Sequence, residues 1–366
     1  MSENFERYQR QLILKGFGEA GQQKLQGAKV LVIGAGGLGC PALQYLTAAG
    51  VGTIGMVDDD VVTLNNLHRQ ILYTVGDIGS AKAVMASFAL EQLNFDIDII
   101  PYNIRLTNQN AIEIITPYDI VIDGTDNFAT RYMINDACVL LNKTLVYGAI
   151  SKFEGQVAVF NYGTNAANYR DLFPSPDNTI LNCEEAGVLG VLPGIIGSML
   201  ANETIKLIIG IGEPLINKLL TYNALTNQSH QFTISPRAET AALIPTTEQA
   251  FAEMNYELFC SANNSFDIDL QQFNALLNDA SVSIIDVREA GELPILDFKN
   301  MSIPLSKLTQ ALPDIDKDSI VLVCQTGKRS ARAAQILFDH FGKTKKIYSL
   351  QGGIVNREKH HSTHVG

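Results

Sequence analysis

Cysteine is scarce in this chain: there are five in 366 residues, at positions 40, 138, 183, 260 and 324, odd in number and far apart. That pattern excludes a disulfide framework and predicts reduced thiols. Long apolar runs are missing too. The most hydrophobic stretch, AGVLGVLPGIIGSMLA, is interrupted by Gly, Pro and Ser and falls short of the roughly 18 to 20 continuous apolar residues of a membrane span, so no membrane partner is expected. The opening MSENFERYQRQ is charged where a secretory signal is apolar, and the predicted compartment is the cytoplasm. Positive charge is also in short supply. With 27 Lys and Arg against 38 Asp and Glu, the net charge is −11, which argues against a nucleic-acid binder and favours a small basic partner or a carrier with a basic face. The rest is ordinary globular composition, 46% hydrophobic and 18% charged, in a chain long enough for two domains.

Strand and helix patterns alternate along the chain. KVLVIG, GTIGMVD, DIDIIPYN, YDIVIDG and TLVYGAI are short β-rich runs. Between them lie segments such as SAKAVMASFALEQLN, in which Ala81, Val84, Met85 and Phe88 follow helical spacing. This order predicts βαβ units and a mostly parallel sheet. EGQVAVF is then followed by a long polar stretch with two prolines, the kind of loop that tends to be functional. Residues 236–256 lack a clear period and read as a linker. After them SVSIIDV, DSIVLVC and KKIYSL again alternate with helical patterns. The expected division is a domain over 1–235, a linker over 236–256 and a second domain over 257–366.

VLVIGAGGLG, residues 30–39, is a strand running into a glycine turn. Gly34, Gly36 and Gly39 make a GxGxxG, and Asp58 closes the next strand 19 residues after Gly39, placed to bond a ribose hydroxyl. Alone, this favours a nicotinamide dinucleotide. The neighbouring residues point elsewhere. Asn66, Arg69, Lys82 and Asp126 fall at the same C-terminal edge of the sheet, in DDDVVTLNNLHRQ, DIGSAKA and DGTDN. A dehydrogenase has no need of two cations and extra acids there. An enzyme that splits a triphosphate does, since Arg69 and Lys82 neutralise oxyanions and Asp126 is suited to Mg²⁺. An NAD(P)-dependent oxidoreductase and a non-catalytic carrier-binding scaffold remain as alternatives at this stage.

RYQRQ, VIGAGGLG, VDDDVVTLNNLHRQ, DGTDNFATRYMINDAC, YGAISKFEGQVAVF and CEEAGVLGVLPGIIGS, taken in this order, resemble the bacterial adenylyltransferases that activate ubiquitin-like sulfur carriers. These are the molybdopterin-synthase and thiamine sulfur-carrier activating enzymes, and the likeness covers about residues 5–235. The resemblance implies a Rossmann-like adenylation domain in a homodimer, using ATP and Mg²⁺ to adenylate the C-terminal Gly-Gly carboxylate of a small carrier. It places Gly36 and Gly37, with Gly34 and Gly39 of the same turn, against the phosphates, and Asp58 and the neighbouring Asp60 near the ribose. Asn66, Arg69 and Lys82 address the phosphates, Asp126 and the adjacent Asn127 the metal and nucleotide, and Arg10 reaches in from the other subunit. The chemistry is sound without the family name. A carboxylate lacks a good leaving group, and attack on the α-phosphate supplies AMP. Bringing two anions together then requires cations in a site poor in water.

Cys183, in LNCEEAGVLG, falls where many relatives keep a cysteine that accepts the activated acyl group, although Glu184 and Glu185 beside it oppose a lowered thiol pKa. Cys40 and Cys138 sit in apolar helical stretches and read as core. In IVLVCQTGKRSARAAQILFDHF, Cys324 ends a strand and enters a tight loop of Gln325, Thr326, Gly327, Lys328, Arg329 and Ser330 ahead of an amphipathic helix. Backbone N–H groups curled around a sulfur, a helix N-terminus, Lys328 and Arg329 would stabilise a thiolate and then a persulfide. Arg288 adds a further positive charge or serves as an ion-pair partner. With IIDVRE and YSLQGG, this segment resembles a rhodanese domain over about 257–358, a small α/β unit. The resemblance implies sulfur taken from a sulfane-sulfur donor and passed to the activated carrier as a thiocarboxylate.

Two departures stand out. IVNREKHHSTHVG, after QGG, lacks the apolar closing helix, so a frayed edge is expected. Most relatives also carry two CxxC pairs that form a zinc site. Here the first pair's positions are Asn168 and Asp171, and HQFTISPRAETAALIP holds no cysteine, only His230. A Cys₄ site cannot be assembled. The expectation is a zinc-free protein whose segment of about 163–182 is held by packing and hydrogen bonds or is mobile until the carrier's tail docks.

Overall fold

The computed structural model describes residues 3–175, 187–256, 266–277, 279–312, 315–355 and 357. They fall into two compact units, one ending by residue 256 and the other beginning at residue 266. In the first, short runs rich in Val and Ile form strands covered on both faces. These are Lys29–Ile33 (β1), Thr53–Val57 (β2), Asp98–Tyr102 (β3), Ile120–Asp123 (β4) and Thr144–Ser151 (β5). Val30, Leu31 and Val32 are all fully buried, as continuous apolar strands of a parallel sheet should be. Glu154–Phe160 (β6), Lys218–Asn223 (β7) and Gln228–Thr233 (β8) follow. The order is β3-β2-β1-β4-β5-β6-β7-β8, with β1 to β5 parallel and β6 to β8 added antiparallel. Val30 pairs with Ile54 on one side and Ile120 on the other. The chain thus reverses its direction of travel across the sheet between β1 and β4, where open α/β folds place their ligands.

The apolar stretch singled out by hydropathy is the helix Leu192–Ile209. Its length and composition would allow it to cross a membrane, yet Leu192, Ile196, Leu200 and Ala201 are buried in one core with Val146 of β5 and Val157 of β6. The helix Lys82–Leu93 forms where its spacing indicates, but its buried side is Ala83, Ala86 and Leu90, while Phe88 is 58% exposed and Val84 faces outward with it. Small side chains let this helix lie close to the sheet, so bulk alone did not mark the inner face.

Residues 236–256, without a period in the sequence, are structured. Ala238–Ala241 and Glu248–Glu253 are short helices, and Phe251 and Tyr256 are buried in the core shared by Tyr132 and Met133. Helices of four and six residues are too short to show a period, which is why the pattern was silent.

The second unit carries Asp267–Ile268 (β9), Val282–Asp286 (β10), Met301–Ser302 (β11), Ser319–Val323 (β12) and Lys346–Leu350 (β13) in the order β11-β10-β12-β13-β9, all parallel. One face packs Leu308, Ala334 and Leu337, the other Phe273, Leu350 and Ile354. The expected fraying beyond QGG is not seen at residues 353–355, which form a helical turn with Ile354 buried. Residues from 358 onward lie outside the described residues.

Leu200→Ala tests the buried character of the long helix. The expected loss is about 2 to 5 kcal/mol for a fully buried leucine, read as a lower urea midpoint of the first unit. A loss under about 1 kcal/mol would place Leu200 at a surface instead.

Candidate functional site

The glycine turn leaves β1 and enters the helix Gly39–Ala49 so tightly that a Cβ on Gly39 would lie 1.9 Å from the carbonyl oxygen of Gly34. Only glycine fits there. Gly36 and Gly37 instead face a cavity of about 360 Å³ at the β1/β4 reversal, which Asp58, Asp60, Asn66, Arg69, Lys82, Asp126 and Asn127 also line. The structure therefore brings together the residues singled out in separate motifs of the first domain, apart from Arg10, Cys183 and Gly39, which shapes the turn without lining the cavity. Arg10 is exposed on the helix Gln9–Leu12 and is not in the wall of this cavity. Cys183, Glu184 and Glu185 lie outside the described residues.

Asp58 pins the turn. Its Oδ2 accepts Ala35 N–H at 2.8 Å and its Oδ1 accepts Asp60 N–H at 2.9 Å. Burial pushes its pKa above the usual carboxylate value, against the pull of Lys82 and these N–H groups. Lys82, only 4% exposed, makes a 2.9 Å ion pair with the exposed carboxylate of Asp60. Arg69 is held by the Asn65 carbonyl at 3.1 Å and by His68 Nε2 at 2.8 Å. Asn127 caps the helix Phe128–Leu140 by accepting Thr130 N–H, which leaves the exposed Asp126 just ahead of the cap.

Gln70, Arg105 and Arg131 are among the cavity residues that escaped the sequence reading. Gln70 is buried, and its Oε1 has no hydrogen-bond partner among the described residues. Arg131 lies beneath the loop that carries Asp126, donating from Nη2 to the Thr125 carbonyl at 2.9 Å, with its guanidinium over the Tyr147 ring. Burial opposes its charge, but Tyr147, Tyr169, Asp123 and Asp126 more than offset this and hold its pKa above the ordinary arginine value. Asp123, buried beside it, accepts Thr125 N–H and Oγ1–H at 2.9 and 2.7 Å, with its pKa raised by burial. In DGTDNFATR, Arg131 lies four residues, about one helical turn, after the N-cap Asn127, which brings it back beneath the loop carrying Asp126. That spacing was the available signal.

Cys40 and Cys138 are fully buried in the two core clusters flanking the sheet. Burial pushes the Cys40 thiol up to about 12 and raises that of Cys138 as well, so neither is a nucleophile at neutral pH.

In the second unit, Cys324 follows β12 and is buried. Gly327 N–H and Ser330 N–H donate to its Sγ at 3.2 and 3.3 Å, and Ser330 Oγ lies 3.5 Å away. The QGG segment braces this loop from outside: a Cβ on Gly353 would lie 2.4 Å from the Cys324 carbonyl oxygen, and Ile354 N–H donates to that same oxygen. Arg329 does not turn its charge to the sulfur. It makes a two-pronged pair with Glu292 at 2.5 and 2.8 Å. Arg288 is the ion-pair partner of Asp286, also bonded to the Pro294 carbonyl. Among the described residues, the contacts at the sulfur that carry positive charge are backbone N–H groups at the N-terminus of the helix Lys328–Phe341. The side chain of Lys328 lies outside the described residues, while Gln325 closes the loop's other side, 3.4 Å from Arg288 Nη1.

The positions of the missing cysteine pair do not suit zinc. Asn168 and Asp171 are buried and bonded to each other at 2.8 Å, and His230 is exposed on β8 opposite Thr221. Among the described residues, no group of three or more His, Cys, Asp or Glu is placed to hold a metal ion.

Residues 8–243 match the ThiF family, and residues 269–359 match the rhodanese-like domain. A sulfur carrier protein adenylyltransferase of Thermus thermophilus is 48% identical over 266 residues, 70% of this chain and 97% of that one. The probable adenylyltransferase/sulfurtransferase MoeZ of Mycobacterium tuberculosis is 40% identical over 96% of this chain and 92% of its own. The adenylyltransferase and sulfurtransferase MOCS3 of Drosophila grimshawi is 38% identical over 96% of this chain and 84% of its own. Among solved structures, E. coli MccB crystallised with AMPCPP and MccA shares the fold of the first unit, with a TM-score of 0.57 at 22% identity over 64% of this chain and 73% of that one. With sequence motifs, sheet order, cavity and full-length relatives in agreement, this chain belongs to the ThiF family and carries a rhodanese-like domain after the ThiF region.

Proposed function

We propose that this chain is an enzyme that adenylates the C-terminal Gly-Gly carboxylate of a small ubiquitin-like sulfur carrier and then supplies the sulfur for a thiocarboxylate. The observation that carries the first step is the single cavity in which Gly36, Gly37, Arg69, Lys82 and Asp126 meet. A triphosphate fits along the turn and the N-terminus of the helix Gly39–Ala49. One carboxylate oxygen of the carrier attacks the α-phosphorus, the bond to the β-phosphate breaks, and pyrophosphate leaves with the charge. Arg69 and Lys82 stabilise the phosphate oxygens, Asn66 and Asn127 bond the nucleotide, and Asp58 takes the ribose. ATP must draw Lys82 away from Asp60, an exposed partner that gives it up at little cost. Asp126, exposed at the rim, suits Mg²⁺, which usually takes one or two carboxylates besides phosphate oxygens; the ion would supply further neutralisation of the phosphates. No side-chain nucleophile is needed.

Arg10 enters this scheme from a second copy of the chain. Its exposure beside Ile13 and Leu14, which are 74% and 56% exposed, supports a homodimer in which the outer side of this segment meets a second copy while Gln11 holds it to its own subunit. The adenylating unit extends to residue 256 and works without zinc.

The second step belongs to Cys324. Its thiolate takes one sulfur atom from a sulfane donor such as thiosulfate, with sulfite leaving. The terminal sulfur then attacks the acyl carbon of the adenylate and AMP departs. A thiol cleaves the resulting acyl disulfide, which frees the thiocarboxylate and leaves that thiol joined to Cys324 as a disulfide. The Gly327 and Ser330 N–H groups support this reading, since they offer the persulfide the contacts they give the thiol.

Lys82→Ala and Asp126→Ala are each expected to slow carrier-dependent ATP–pyrophosphate exchange by about a hundredfold or more, given ~2.7 to 4 kcal/mol for a preorganised contact to developing charge. Circular dichroism checks that both variants stay folded, and undiminished exchange in both removes the cavity from the reaction. Cys324→Ser is expected to abolish thiocarboxylate formation from a sulfane donor and leave pyrophosphate exchange at the wild-type rate. Loss of exchange in that variant, or persulfide found on it by mass spectrometry, contradicts the assignment.

A further inference from the structure

A buried polar network lies outside both sites, where the family resemblance leads one to expect zinc. Asp171 is 2% exposed and takes a donor on each side of its carboxylate. Oδ2 accepts Asn168 N–H and the Asn168 amide, both at 2.8 Å. Oδ1 accepts Arg237 N–H at 2.9 Å and the hydroxyl of Thr240, itself 2% exposed. Asn168 and Asp171 are three residues apart, and so are Arg237 and Thr240. Two i,i+3 pairs, in the spacing of two CxxC pairs, therefore meet at one buried carboxylate, the second through the backbone N–H of the exposed Arg237 and the Thr240 hydroxyl. The partners of Asp171 are N–H and O–H groups that present protons to it, whereas a zinc ion needs lone pairs from four converging ligands. A buried carboxylate is costly unless its lone pairs are filled, and four donors fill them here.

A second buried carboxylate holds the other end of the same segment. Asp136 pairs with Arg170 at 2.8 and 2.7 Å, both side chains fully buried, and accepts the hydroxyl of Tyr256 at 3.0 Å. Between these ends the segment touches the nucleotide loop. Asn108 donates to the carbonyls of Ala252 and Met254 at 2.7 and 2.9 Å, and Gln109 donates to Ala252 at 2.8 Å. Two and three residues earlier, Leu106 and Arg105 line the cavity that contains Lys82 and Asp126.

We infer that Asp171 is the centre of a metal-free clasp that takes the place of a zinc site, and that by fixing the strap 237–256 it positions the Arg105–Asn108 loop for the nucleotide. Asp171 is a positioning residue in this scheme. It acts through the strap and touches no substrate. The link to nucleotide rests on the function proposed above, while the clasp itself does not.

The test uses the full chain with four measurements: zinc content by elemental analysis, thermal midpoint with and without chelator, limited proteolysis of residues 237–256, and ATP affinity by calorimetry. Wild type is expected to hold no zinc after purification without chelator and to melt at the same temperature with chelator present. Thr240→Val, close in shape and lacking only the hydroxyl, should speed cleavage within the strap and weaken ATP binding about threefold to tenfold, a loss of roughly 0.7 to 1.4 kcal/mol. Asp171→Ala should do the same more strongly if it folds. Changing Asn168, Asp171, Arg237 and Thr240 together to Cys should create a site for one zinc ion per chain. Zinc loading should then restore strap protection and ATP affinity, and chelator should remove both. Stoichiometric zinc in wild type, or a fourfold Cys variant that takes up none, overturns the clasp. Unchanged ATP affinity in Thr240→Val with the strap loosened overturns the link to the loop. A wild type that binds no ATP sinks the proposed function, with strap cleavage and zinc uptake still deciding the clasp.

Discussion

Two like charges must be brought to bonding distance, and the first unit is arranged around that constraint. A carboxylate and a phosphate oxygen at 4 Å repel by about 4 kcal/mol per pair of unit charges at an effective dielectric constant near 20. The sheet order meets this demand by placing the ends of β1, β2 and β4 around one cavity. A helix N-terminus opens onto it, Arg69 and Lys82 line it, and Arg131 adds buried positive charge behind the Asp126 loop. Aspartates then aim the loops. Asp58 accepts the N–H of Ala35 in the glycine turn, and Asp123 accepts the N–H of Thr125. Each fixes a stretch of backbone whose neighbouring residues face the ligand space.

The second unit solves the related problem of holding one negative sulfur. Among the described residues the backbone supplies positive field at the sulfur, and Arg288 and Arg329 brace the loops. Arg329 is spent on Glu292 and Arg288 on Asp286. A backbone N–H group does not titrate near neutral pH or swing away as a side chain does, so a thiol, a thiolate and a persulfide meet the same contacts in turn. A mobile cation would bind each of them differently. The QGG segment matters for this reason, because its close approach to the Cys324 carbonyl sets the curl of the loop.

Much of this was legible in the sequence. The glycine turn, Asp58, Lys82 and Asp126 could be placed because each sits at a strand end or helix start, where local pattern fixes position. Cys324 was legible for the same reason. Arg131 was marked only by its place one turn past the Asn127 cap, and Gln70 by nothing local, since it meets Gly36 of the glycine turn through packing between separate loops. The strap 237–256 was misread because its helices are shorter than the period that reveals a helix. Arg329 was assigned to the sulfur on proximity in sequence, while its partner Glu292 lies 37 residues earlier. The outward face of Lys82–Leu93 was missed because Ala83 and Ala86 carry the buried side while Phe88 does not.

The central claim is that one chain joins carboxylate activation to sulfur delivery. It is tested most directly by following radiolabelled sulfane sulfur from Cys324 to a Gly-Gly carrier, with and without ATP, by intact-protein mass spectrometry and label counting. The account predicts that label loads onto Cys324 without ATP and moves to the carrier's C-terminal carboxyl, as a thiocarboxylate, only when ATP is added. Label reaching the carrier equally well without ATP, or remaining on Cys324 when ATP and carrier are both present, would contradict it.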